Sequence, residues 1–224
     1  MAENSLFSRA TSIEEGFILE SANEAWKSAD EVAIDRYWNG EPASRSKPDW
    51  NTLTRIRTLW NRENLYFRFD CSYDTISVKP ELGSGGPIDE LWETDVFEVF
   101  LRPSGCPDYF EFEVGPLGQW LDVHVITPRQ NVDFAWSSHL VVTVDLDEDE
   151  RTWSGVLKIP FEPMLHTVGR DQPPKPGEFW GINLFRLAGE EPDREYLAWR
   201  PTRTIEPDFH VPSAFGHLIF LEEA

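Results

Sequence analysis

The stretch TLTRIRTLWNRENLYFRFDC, residues 52–71, decides the fold because it carries the pattern of a β-hairpin. The polar segment NREN separates two runs that are rich in β-branched and aromatic residues. Runs of this composition on either side of a short turn are typical of paired strands. From Leu65 onward every second side chain is apolar, and Arg68 and Asp70 lie between them. Because successive side chains of a strand point to opposite faces, this strand has one face suited to a hydrophobic core.

Segments with the same strand composition recur along the rest of the chain. They cover residues 94–101, 109–114, 120–126, 140–144, 153–159, 180–187, 195–199 and 215–221. Helical patterns do not alternate with them, which argues against a parallel α/β sheet. No internal repeat is visible, which argues against propellers and solenoids. The sequence therefore predicts an all-β fold, an antiparallel β-sandwich of the immunoglobulin or jelly-roll kind, with long loops and little helix.

The remaining segments predict little regular structure. We expect residues 1–14 to be a flexible N-terminal segment, and residues 23–38 to hold a helical turn or an edge strand. Segments rich in Gly, Pro and small polar residues predict loops at residues 40–50, 79–90 and 163–178. A chain of 224 residues lies within the size range of one all-β domain. We therefore expect residues 1–224 to form a single domain.

The net charge of −20 limits the expected partners. An acidic chain repels the phosphate backbone of nucleic acids and the anionic surface of membranes, so neither is an expected partner. The charge serves either solubility or the binding of calcium, and both interpretations stay open. The N-terminus lacks the apolar core of a secretory signal, and no segment approaches the roughly 20 apolar residues of a membrane span. We therefore expect a cytoplasmic protein, or a secreted one if a signal has been removed, and its oligomeric state stays undetermined.

The two cysteines, Cys71 and Cys106, lack the spacing of a metal site and the sequence context of a catalytic nucleophile. We expect two free, buried thiols. A disulfide between them stays open for an oxidising compartment, because sequence alone does not decide the pairing.

A second informative stretch, DELWETDVFEVFLRP at residues 89–103, places an acid on each face of a predicted strand. Glu98 shares a face with two apolar residues, and Asp95 lies on the other face. Burying a carboxylate without partners is costly, so each acid needs a reason. Glu98 has either an arginine partner inside the sheet, such as Arg57 or Arg68, or a ligand.

The next two predicted strands also carry polar side chains on one face. In YFEFEV, Glu111 and Glu113 share a side, and in WLDVHVI, Asp122 and His124 share a side. If these strands pair in order, we expect the four side chains to collect on one face together with Tyr109 and Trp120, opposite an apolar face. That polar face is either an outer solvent face, which antiparallel sheets commonly have, or a ligand-binding face.

A surface of acids and aromatic rings suits the recognition of sugars. Pyranose rings stack their C–H faces on aromatic side chains, and carboxylates and guanidinium groups form directional hydrogen bonds with their hydroxyl groups. Ten tryptophans exceed the need of a core of this size, so some are expected at a surface or in a pocket. Arg186 and Asn183, in the segment WGINLFRL, are candidate hydrogen-bond partners for sugar hydroxyls.

Several motifs occur in a recognisable order. They are LTRIRTLWNRENLYFRF, LWETDVFEVFLRP, YFEFEVGPLGQWLD, WSGVLKIPF, GEFWGINLFRL, LAWRPT and FGHLIF. In this order they resemble the family 9 carbohydrate-binding modules and their stand-alone relatives, over roughly residues 15–221. Each motif alone is weakly specific, and the ordered set carries the resemblance. The resemblance implies an antiparallel β-sandwich that binds a carbohydrate without catalysis and is linked to polysaccharide breakdown.

The resemblance also implies roles for particular residues. In that family two tryptophans clamp a sugar, often at the end of a glycan, and a glutamate hydrogen-bonds to its hydroxyl groups. These roles match Trp92, Trp199 and Glu98 in this sequence. Arg186 and Asn183 match further ligand-binding residues. The implied partner is a mono- or disaccharide or the end of a glycan.

For Asp95 and for the two clamping tryptophans, alternative roles stay open. Members of the family carry calcium, so the resemblance makes Asp95 a candidate ligand of a structural calcium ion and implies no other cofactor. The residues alone suggest instead that Asp95 anchors the preceding loop through backbone N–H groups. Trp92 is alternatively a core residue, and Trp180 is an alternative to Trp199 as the second clamping residue. Two indoles that face each other across an open slot would support the clamp, and packed core between them would exclude it.

Two other functions stay open. A glycan-active enzyme needs two carboxyl groups about 5–10 Å apart across the scissile bond. Its candidate carboxyl groups are Glu98, Glu111, Glu113 and Asp122. A haem-binding sandwich needs axial Met or His ligands. Its candidate ligands are Met164, His124, His210 and His217.

Overall fold

A computed structural model describes residues 4–12, 15–43 and 53–223. The strands are β1 (Ser5–Ala10), β2 (Glu31–Ile34), β3 (Arg36–Tyr37), β4 (Thr54–Trp60), β5 (Asn64–Ser72), β6 (Val96–Arg102), β7 (Tyr109–Val114), β8 (Trp120–Thr127), β9 (Asn131–Asp133), β10 (Val141–Asp147), β11 (Thr152–Pro160), β12 (Phe179–Ala188), β13 (Glu195–Ala198) and β14 (Gly216–Leu221). The helices are α1 (Glu15–Ile18) and α2 (Phe161–Thr167), and short 3-10 turns lie at Glu24–Ser28, Pro80–Leu82, Leu91–Glu93 and Pro212–Ala214. Strands therefore dominate the described part of the chain.

The strands assemble into a sandwich of two layers. One layer has the order β10-β11-β5-β4, with β2 beside β4. The other has the order β14-β12-β6-β7-β8-β9, with β13 and β3 attached beside β12. All pairings within these layers of described strands are antiparallel. The predicted all-β antiparallel sandwich is confirmed.

The hairpin predicted at residues 52–71 forms as β4 and β5. Asn61 closes its turn, because the side-chain oxygen accepts hydrogen bonds from the backbone N–H groups of Glu63 and Asn64, at 2.9 and 2.8 Å. Asn favours turns because its short side chain can stand in for a backbone partner. The turn thereby sets the register that directs the apolar face of β5 inward.

The main core lies between the two layers. Phe69 of β5 packs against Phe97 of β6 and Trp153 of β11, with ring centroids 4.9 and 5.2 Å apart. All three side chains are fully buried. Burial of a large apolar side chain stabilises a fold by roughly 1.5–3 kcal/mol, so such contacts hold the layers together.

A second apolar cluster covers the outer face of the β12-β6-β7-β8 layer and includes Val96, Phe100 and Val123. Phe209, in the segment after β13, stacks on Phe185 of β12 with ring centroids 4.1 Å apart. Because this segment folds over the outer face, the layer is buried on both sides. Antiparallel sheets more often leave one face to water. The covered outer face is where the candidate site forms.

The N-terminal segment differs from the expectation of flexibility. Residues Ser5–Arg9 of β1 pair in parallel with β14, and Arg9–Ala10 pair in parallel with β4. Strand β1 therefore joins the two layers. The buried Ser8 hydroxyl lies 3.0 Å from the Thr58 hydroxyl, which satisfies two polar groups inside the sheet. Residues 1–3 and 13–14 of this segment lie outside the described residues.

Smaller differences concern helices and loops. Helix α2 extends into the segment 163–178 that was predicted to be a loop, and its Met164 and Leu165 are buried. Pro163 lies in the first turn of α2, where a missing N–H breaks no hydrogen bond within the helix. Residues 23–38 contain both expected features, a 3-10 turn and the strand β2. Residues 44–50 of the predicted loop at 40–50 lie outside the described residues.

The two cysteines are free thiols. Cys71 is buried in the core, and burial raises the pKa of its thiol to about 12. Cys106 is only partly buried, so the expectation of two buried thiols holds for Cys71 alone. Neither described helix is long and apolar enough to cross a membrane.

Candidate functional site

A cavity of about 160 Å³ opens on the covered outer face of the β12-β6-β7-β8 layer. The strands contribute its floor, which consists of Glu98, Phe100, Glu111 and Leu187. Loops, turns and β13 contribute its walls, which consist of Trp92, Arg129, Arg194, Tyr196, Pro207, Phe209 and His210. Sites for drug-sized ligands occupy roughly 300–1,000 Å³, so this cavity suits one small ring.

A larger cavity of about 570 Å³ lies next to the proline-rich segment 172–176. Its aromatic lining residue, Trp60, already donates its indole N–H to the carbonyl oxygen of Leu221 at 2.9 Å. The smaller cavity is the better candidate because it combines a partly exposed indole with the buried carboxyl group of Glu98, which has no hydrogen bond or ion pair among the described residues.

The Trp92 indole lines the cavity, and the residue is 37% exposed. The turn Leu91–Glu93 presents it and is held on two sides. Leu91 is fully buried in the second apolar cluster. Arg194 donates hydrogen bonds to the carbonyl oxygens of Trp92 and, at 2.8 Å, of Thr94. The ring is therefore fixed with part of its surface free for a ligand, and Trp92 is not a core residue.

Three glutamates form a carboxyl cluster, defined as Glu98, Glu111 and Glu113, at and below the floor of the cavity. Glu98 of β6 lies directly opposite Glu113 of β7, and Glu111 is two residues further along β7. Their exposed fractions are 2%, 6% and 0% for Glu98, Glu111 and Glu113. No N–H or hydroxyl donor of the described residues reaches the oxygens of Glu113, and its hydrogen-bond neighbour is the carboxyl group of Glu111. No described residue forms a hydrogen bond or an ion pair with Glu98 either.

The alternative that an arginine inside the sheet satisfies Glu98 is wrong. Arg57 forms an ion pair with Glu31, and Arg68 forms one with Asp70 at 2.8 Å. Both arginines lie in the other layer of the sandwich, on β4 and β5. The Glu98 carboxyl group therefore stays available to a ligand.

Burial raises the pKa of every carboxyl group in the cluster. For Glu98 the loss of hydration is the main cause, the charge of Glu111 adds to it, and Arg194 and Arg129 oppose it. Burial and the two neighbouring carboxyl groups raise the pKa of Glu113 as well. Burial raises the pKa of Glu111 to about 7, although Glu113 and Arg129 oppose the shift. Near neutral pH the cluster therefore holds protons and can both donate and accept hydrogen bonds.

His210 and Asp208 form a second polar group beside the carboxyl cluster. The Nδ1 atom of His210 lies 2.6 Å from the Tyr109 hydroxyl, and Nε2 lies 3.9 Å from a carboxyl oxygen of Glu111. Burial lowers the pKa of His210 to about 4, so its imidazole is neutral at neutral pH. Asp208 accepts a hydrogen bond from Arg129 at 2.6 Å and one from the backbone N–H of His210 at 3.0 Å. Burial alone would raise the pKa of Asp208, but these hydrogen bonds hold it below its usual value.

The structure places Arg186 in the core and not at the cavity. Arg186 of β12 lies opposite Phe97, on the face that packs between the layers. It is fully buried, forms an ion pair with Asp95, and lies 4.9 Å from the ring centroid of Trp153. The cavity opens on the opposite face, so the expected ligand-binding role of Arg186 is corrected to a structural one.

Asp95 anchors the loop that precedes β6, which was one of its two expected roles. One carboxyl oxygen accepts hydrogen bonds from the backbone N–H groups of Gly189, at 2.7 Å, and Ser77, at 3.0 Å. The other oxygen binds the Arg186 guanidinium. Calcium needs free oxygen ligands, and a guanidinium repels a cation, so Asp95 does not fit a calcium site. Within the ranges that the structure describes, no group of three or more acidic, His or Cys side chains is arranged to hold a metal.

Asn183 is also a structural residue. Its side-chain N–H donates to the carbonyl oxygen of Arg200 at 2.8 Å. Its side-chain oxygen accepts from the backbone N–H groups of Arg200 and Leu184, at 3.0 and 2.9 Å. The amide group therefore ties the segment after β13 to β12, and the fully buried side chain does not line the cavity. The expectation that Asn183 binds a ligand is corrected accordingly.

Trp199 does not face Trp92. It is 9% exposed, packs in the main core, and does not line the cavity. Its ring lies against Gly216, where a Cβ atom would come within 2.7 Å of it. Trp180, the alternative second clamping residue, is fully buried in the same core. The structure therefore brings Trp92 and Glu98 together and separates both from the proposed second tryptophan.

The expected polar face of four side chains is wrong. Strand β8 pairs with β7 so that apolar residues of β8 lie opposite Glu111 and Glu113. Asp122 and His124 therefore point to the other face, where Asp122 accepts two hydrogen bonds from Ser138, each at 2.6 Å. Both faces of β8 are buried. The pattern of polar and apolar residues in β8 therefore could not show which of its side chains lie on the same face as Glu111 and Glu113. Asp122 accordingly drops out of the set of candidate catalytic carboxyl groups.

The candidate haem ligands do not meet. His210 lines the cavity, whereas Met164 is fully buried in the main core. His217 packs against the exposed Phe179, and His124 lies on the face of β8 away from the carboxyl cluster. The described residues thus bring no two of these candidates together as axial ligands.

Sequence reasoning missed most of the cavity walls. The missed residues are Arg129, Arg194, Tyr196, Pro207 and Phe209. They lie in loops and in the four-residue strand β13, where hydrophobic periodicity gives no signal. The aromatic residue inside the proline-containing segment EPDFHVP was the available sign, because ligand-contacting residues are common in loops held by a rigid scaffold.

The chain is similar in sequence to proteins from mammals. The human UPF0462 protein C4orf33 is 30% identical over 142 residues, which cover 61% of this chain and 64% of that protein. Its rat homologue is 30% identical over 56% of this chain and 59% of that protein. The chain thus matches about three fifths of the length of these curated relatives.

Solved structures share the architecture at low sequence identity. A protein from Bacteroides uniformis is similar with a TM-score of 0.74 and 17% identity, over 97% of this chain and 99% of that one. A family 9 carbohydrate-binding module from Caldicellulosiruptor kristjanssonii, in complex with cellotriose, is similar with a TM-score of 0.64 and 11% identity, over 98% and 95% of the two chains. At these identities the likeness concerns the fold alone.

The decisive comparison is at the level of the family. A model of carbohydrate-binding family 9 matches residues 83–220, which is more than half of the chain. The match includes the turn of Trp92, the strands that carry the carboxyl cluster and the segment that covers them. This chain belongs to carbohydrate-binding family 9.

Proposed function

We propose that this protein binds a carbohydrate in the cavity, with Trp92 as the stacking surface and Glu98 and Glu111 as hydrogen-bond partners of sugar hydroxyls. One observation carries the proposal: a partly exposed indole and a buried carboxyl group without a partner line the same small cavity. Membership of carbohydrate-binding family 9 supports the same function.

The chemistry of the cavity matches a sugar ring. A ring C–H face can stack on the free surface of Trp92, while hydroxyl groups reach the floor. A sugar hydroxyl both donates and accepts hydrogen bonds, and so does a protonated carboxyl group. Because Glu98 is buried without a partner, a ligand that satisfies it removes part of a desolvation cost that the free protein bears.

The proposed binding mode differs from a clamp of two tryptophans. Trp199 is in the core, so other aromatic side chains of the cavity must form the second contact surface. Tyr196 and Phe209 line the same cavity, and their rings lie 6.4 Å apart. Arg194 lies 5.7 Å from the Tyr196 ring centroid and also holds the Trp92 turn. These contacts support a binding surface of one tryptophan together with Tyr196 and Phe209.

The first ligands to test are small sugars. The family 9 module from Caldicellulosiruptor kristjanssonii was solved with glucose and with cellotriose. A cavity of about 160 Å³ suits one ring, so we propose that one sugar unit enters and that a longer glycan would extend into solvent. Comparable affinities for glucose and cellotriose are therefore expected.

Isothermal titration calorimetry with D-glucose and cellotriose tests the proposal. Trp92→Ala should weaken binding by about tenfold or more, because an aromatic stacking contact is lost. Phe179→Ala is the matched control, since Phe179 is an aromatic residue that is 52% exposed and does not line the cavity. Absence of binding to a panel of soluble sugars, or an unchanged affinity in Trp92→Ala, would contradict the proposal.

Glycoside hydrolysis is a second candidate function, which one observation favours. Glu98 and Glu111 both line the cavity, and they are diagonal neighbours on paired strands. Diagonal neighbours lie roughly 7–8 Å apart, within the roughly 5–9.5 Å that separates the carboxyl groups of glycosidases. Incubation with a panel of glycans tests this candidate function. If the protein is a glycoside hydrolase, it releases a product, and the variants Glu98→Gln and Glu111→Gln do not.

A further inference from the structure

The cavity carries more carboxyl groups than a neutral sugar needs. Two members of the carboxyl cluster line it, and Glu113 lies behind them. The neighbouring guanidinium groups are already engaged, because Arg129 is paired with Asp208 and Arg194 binds two carbonyl oxygens. The cluster is therefore only partly compensated by positive charge within the protein.

Two of these carboxyl groups lack an N–H donor or a cation among the described residues. Glu113 is fully buried and has only the carboxyl group of Glu111 as a hydrogen-bond neighbour. Glu98 is 2% exposed and forms neither a hydrogen bond nor an ion pair with a described residue. Buried polar groups in folded proteins nearly always have a hydrogen-bond partner, so an orphaned group indicates a missing one. Burial without a compensating charge keeps such groups protonated. A ligand with a positive charge would supply what the protein lacks.

We infer that this cavity selects a sugar that carries an ammonium group, an amino sugar, over the neutral sugar of the same shape. The inference rests on the proposed function and names its ligand class. An ammonium group has three N–H donors, enough to serve two carboxyl groups at once. The partly exposed ring of Trp92 adds attraction, because the faces of aromatic rings carry negative potential that favours cations.

The pH dependence of binding separates an amino sugar from a neutral one. An ammonium group favours the ionised carboxyl groups, so its binding releases protons and its affinity rises with pH while the cluster ionises. Affinity falls again when the amine loses its own proton. The other charged or titratable groups around the cluster are Tyr109, Arg129, Arg194, Tyr196, Asp208 and His210. Across neutral pH the tyrosines keep their protons and His210 stays neutral, so the cluster dominates the change.

Isothermal titration calorimetry with D-glucosamine, D-glucose and N-acetyl-D-glucosamine tests the inference. N-acetylation keeps the ring and removes the charge. At about pH 7 we expect glucosamine to bind about tenfold more tightly than either neutral sugar, which corresponds to about 1.4 kcal/mol. Titrations in buffers with different heats of ionisation should show proton release on binding of glucosamine only.

Variants show whether the carboxyl cluster causes the preference. In Glu98→Gln and Glu111→Gln, the ratio of the glucose and glucosamine dissociation constants should fall severalfold, and in the double variant it should approach one. Glu93→Gln is the matched control, because Glu93 is an exposed acid on the Trp92 turn that does not line the cavity, and it should keep the ratio. Circular dichroism spectra confirm that each variant is folded.

The outcomes distinguish the two proposals. Equal affinity for the three sugars overturns the amino-sugar inference and leaves the proposed function standing. A preference for glucosamine that persists in the double variant also overturns the inference, because the charge would then come from elsewhere. Absence of binding to every sugar overturns the proposed function and the inference together.

Discussion

Replacement of Glu111 by glutamine is expected to stabilise the fold and to make stability less dependent on pH. Glu111 is 6% exposed, and burial is the main cause that raises the pKa of its carboxyl group from 4.5 to about 7. Glutamine has nearly the same shape and cannot ionise. The variant Glu111→Gln therefore removes the cost of a charge in a buried position.

The sign and size of the effect follow from proton binding in the folded and unfolded states. The unfolded chain loses the Glu111 proton near pH 4.5, whereas the folded chain keeps it to about pH 7. Between these values the folded state binds more protons, so the stability of the unmodified protein falls as the pH rises. Below this window the penalty is absent, and above it the full penalty remains. At about 1.4 kcal/mol for each unit of pKa difference, the penalty reaches about 3 kcal/mol.

Urea denaturation at about pH 4.5 and about pH 8 measures this penalty. The unmodified protein and Glu111→Gln should unfold alike at the acidic pH. At the basic pH the variant should be more stable by about 3 kcal/mol, and its midpoint should lie about 1.5 M higher for a slope of about 2 kcal/mol/M. Glu93→Gln, which alters an exposed acid paired with Lys79, should show no such pH-dependent gain. A stability difference that is the same at both pH values would refute the reasoning.

Four substitutions test the roles of individual side chains by urea denaturation and calorimetry. Asp95→Ala should cost about 3–5 kcal/mol, because it leaves the buried Arg186 guanidinium unpaired, and addition of Arg186→Met should recover part of that loss. A loss of less than about 1 kcal/mol would contradict this reasoning, because only ion pairs at the surface contribute so little to stability. Trp199→Ala should destabilise the fold by about 3–5 kcal/mol, as expected for a large core side chain. Trp92→Ala should change stability by less than about 1 kcal/mol while it weakens sugar binding, and a large loss of stability would show that the indole is a core element.

Most strands were predictable because runs of β-branched and aromatic residues mark them between turn and loop segments. The hairpin of β4 and β5 is an example, since its polar turn and its apolar face are both local features. Strand β1 was missed because its sequence, SLFSRA, is short and polar and its partner β14 lies at the other end of the sequence. Helix α2 was missed because prolines around it resemble loop signals.

The site was predictable only where its residues are close in sequence. Trp92 and Glu98 belong to one turn and the strand that follows it, and the family resemblance of this short segment identified both. Arg186 and Asn183 have the right chemistry, but they are committed to partners in the core and in the backbone. The assignment of Trp199 failed for a similar reason, because its face depends on long-range packing that sequence patterns do not encode. Tyr196 and Phe209 reach the cavity through the path of a loop, which hydrophobic periodicity cannot predict.

The parallel pairing of β1 with β14 bears on how the protein is made. Ser5 lies opposite His217, so β1 remains without this neighbour until the chain has been synthesised as far as β14. Contacts between residues so distant in sequence form late and slow the folding of β-rich proteins. During synthesis the edge that β1 will share with β14 stays open, and unpaired edges of this kind attract other chains. Chaperones that shield nascent chains should therefore raise the yield of this protein more than they would for a sandwich whose neighbouring strands are all close in sequence.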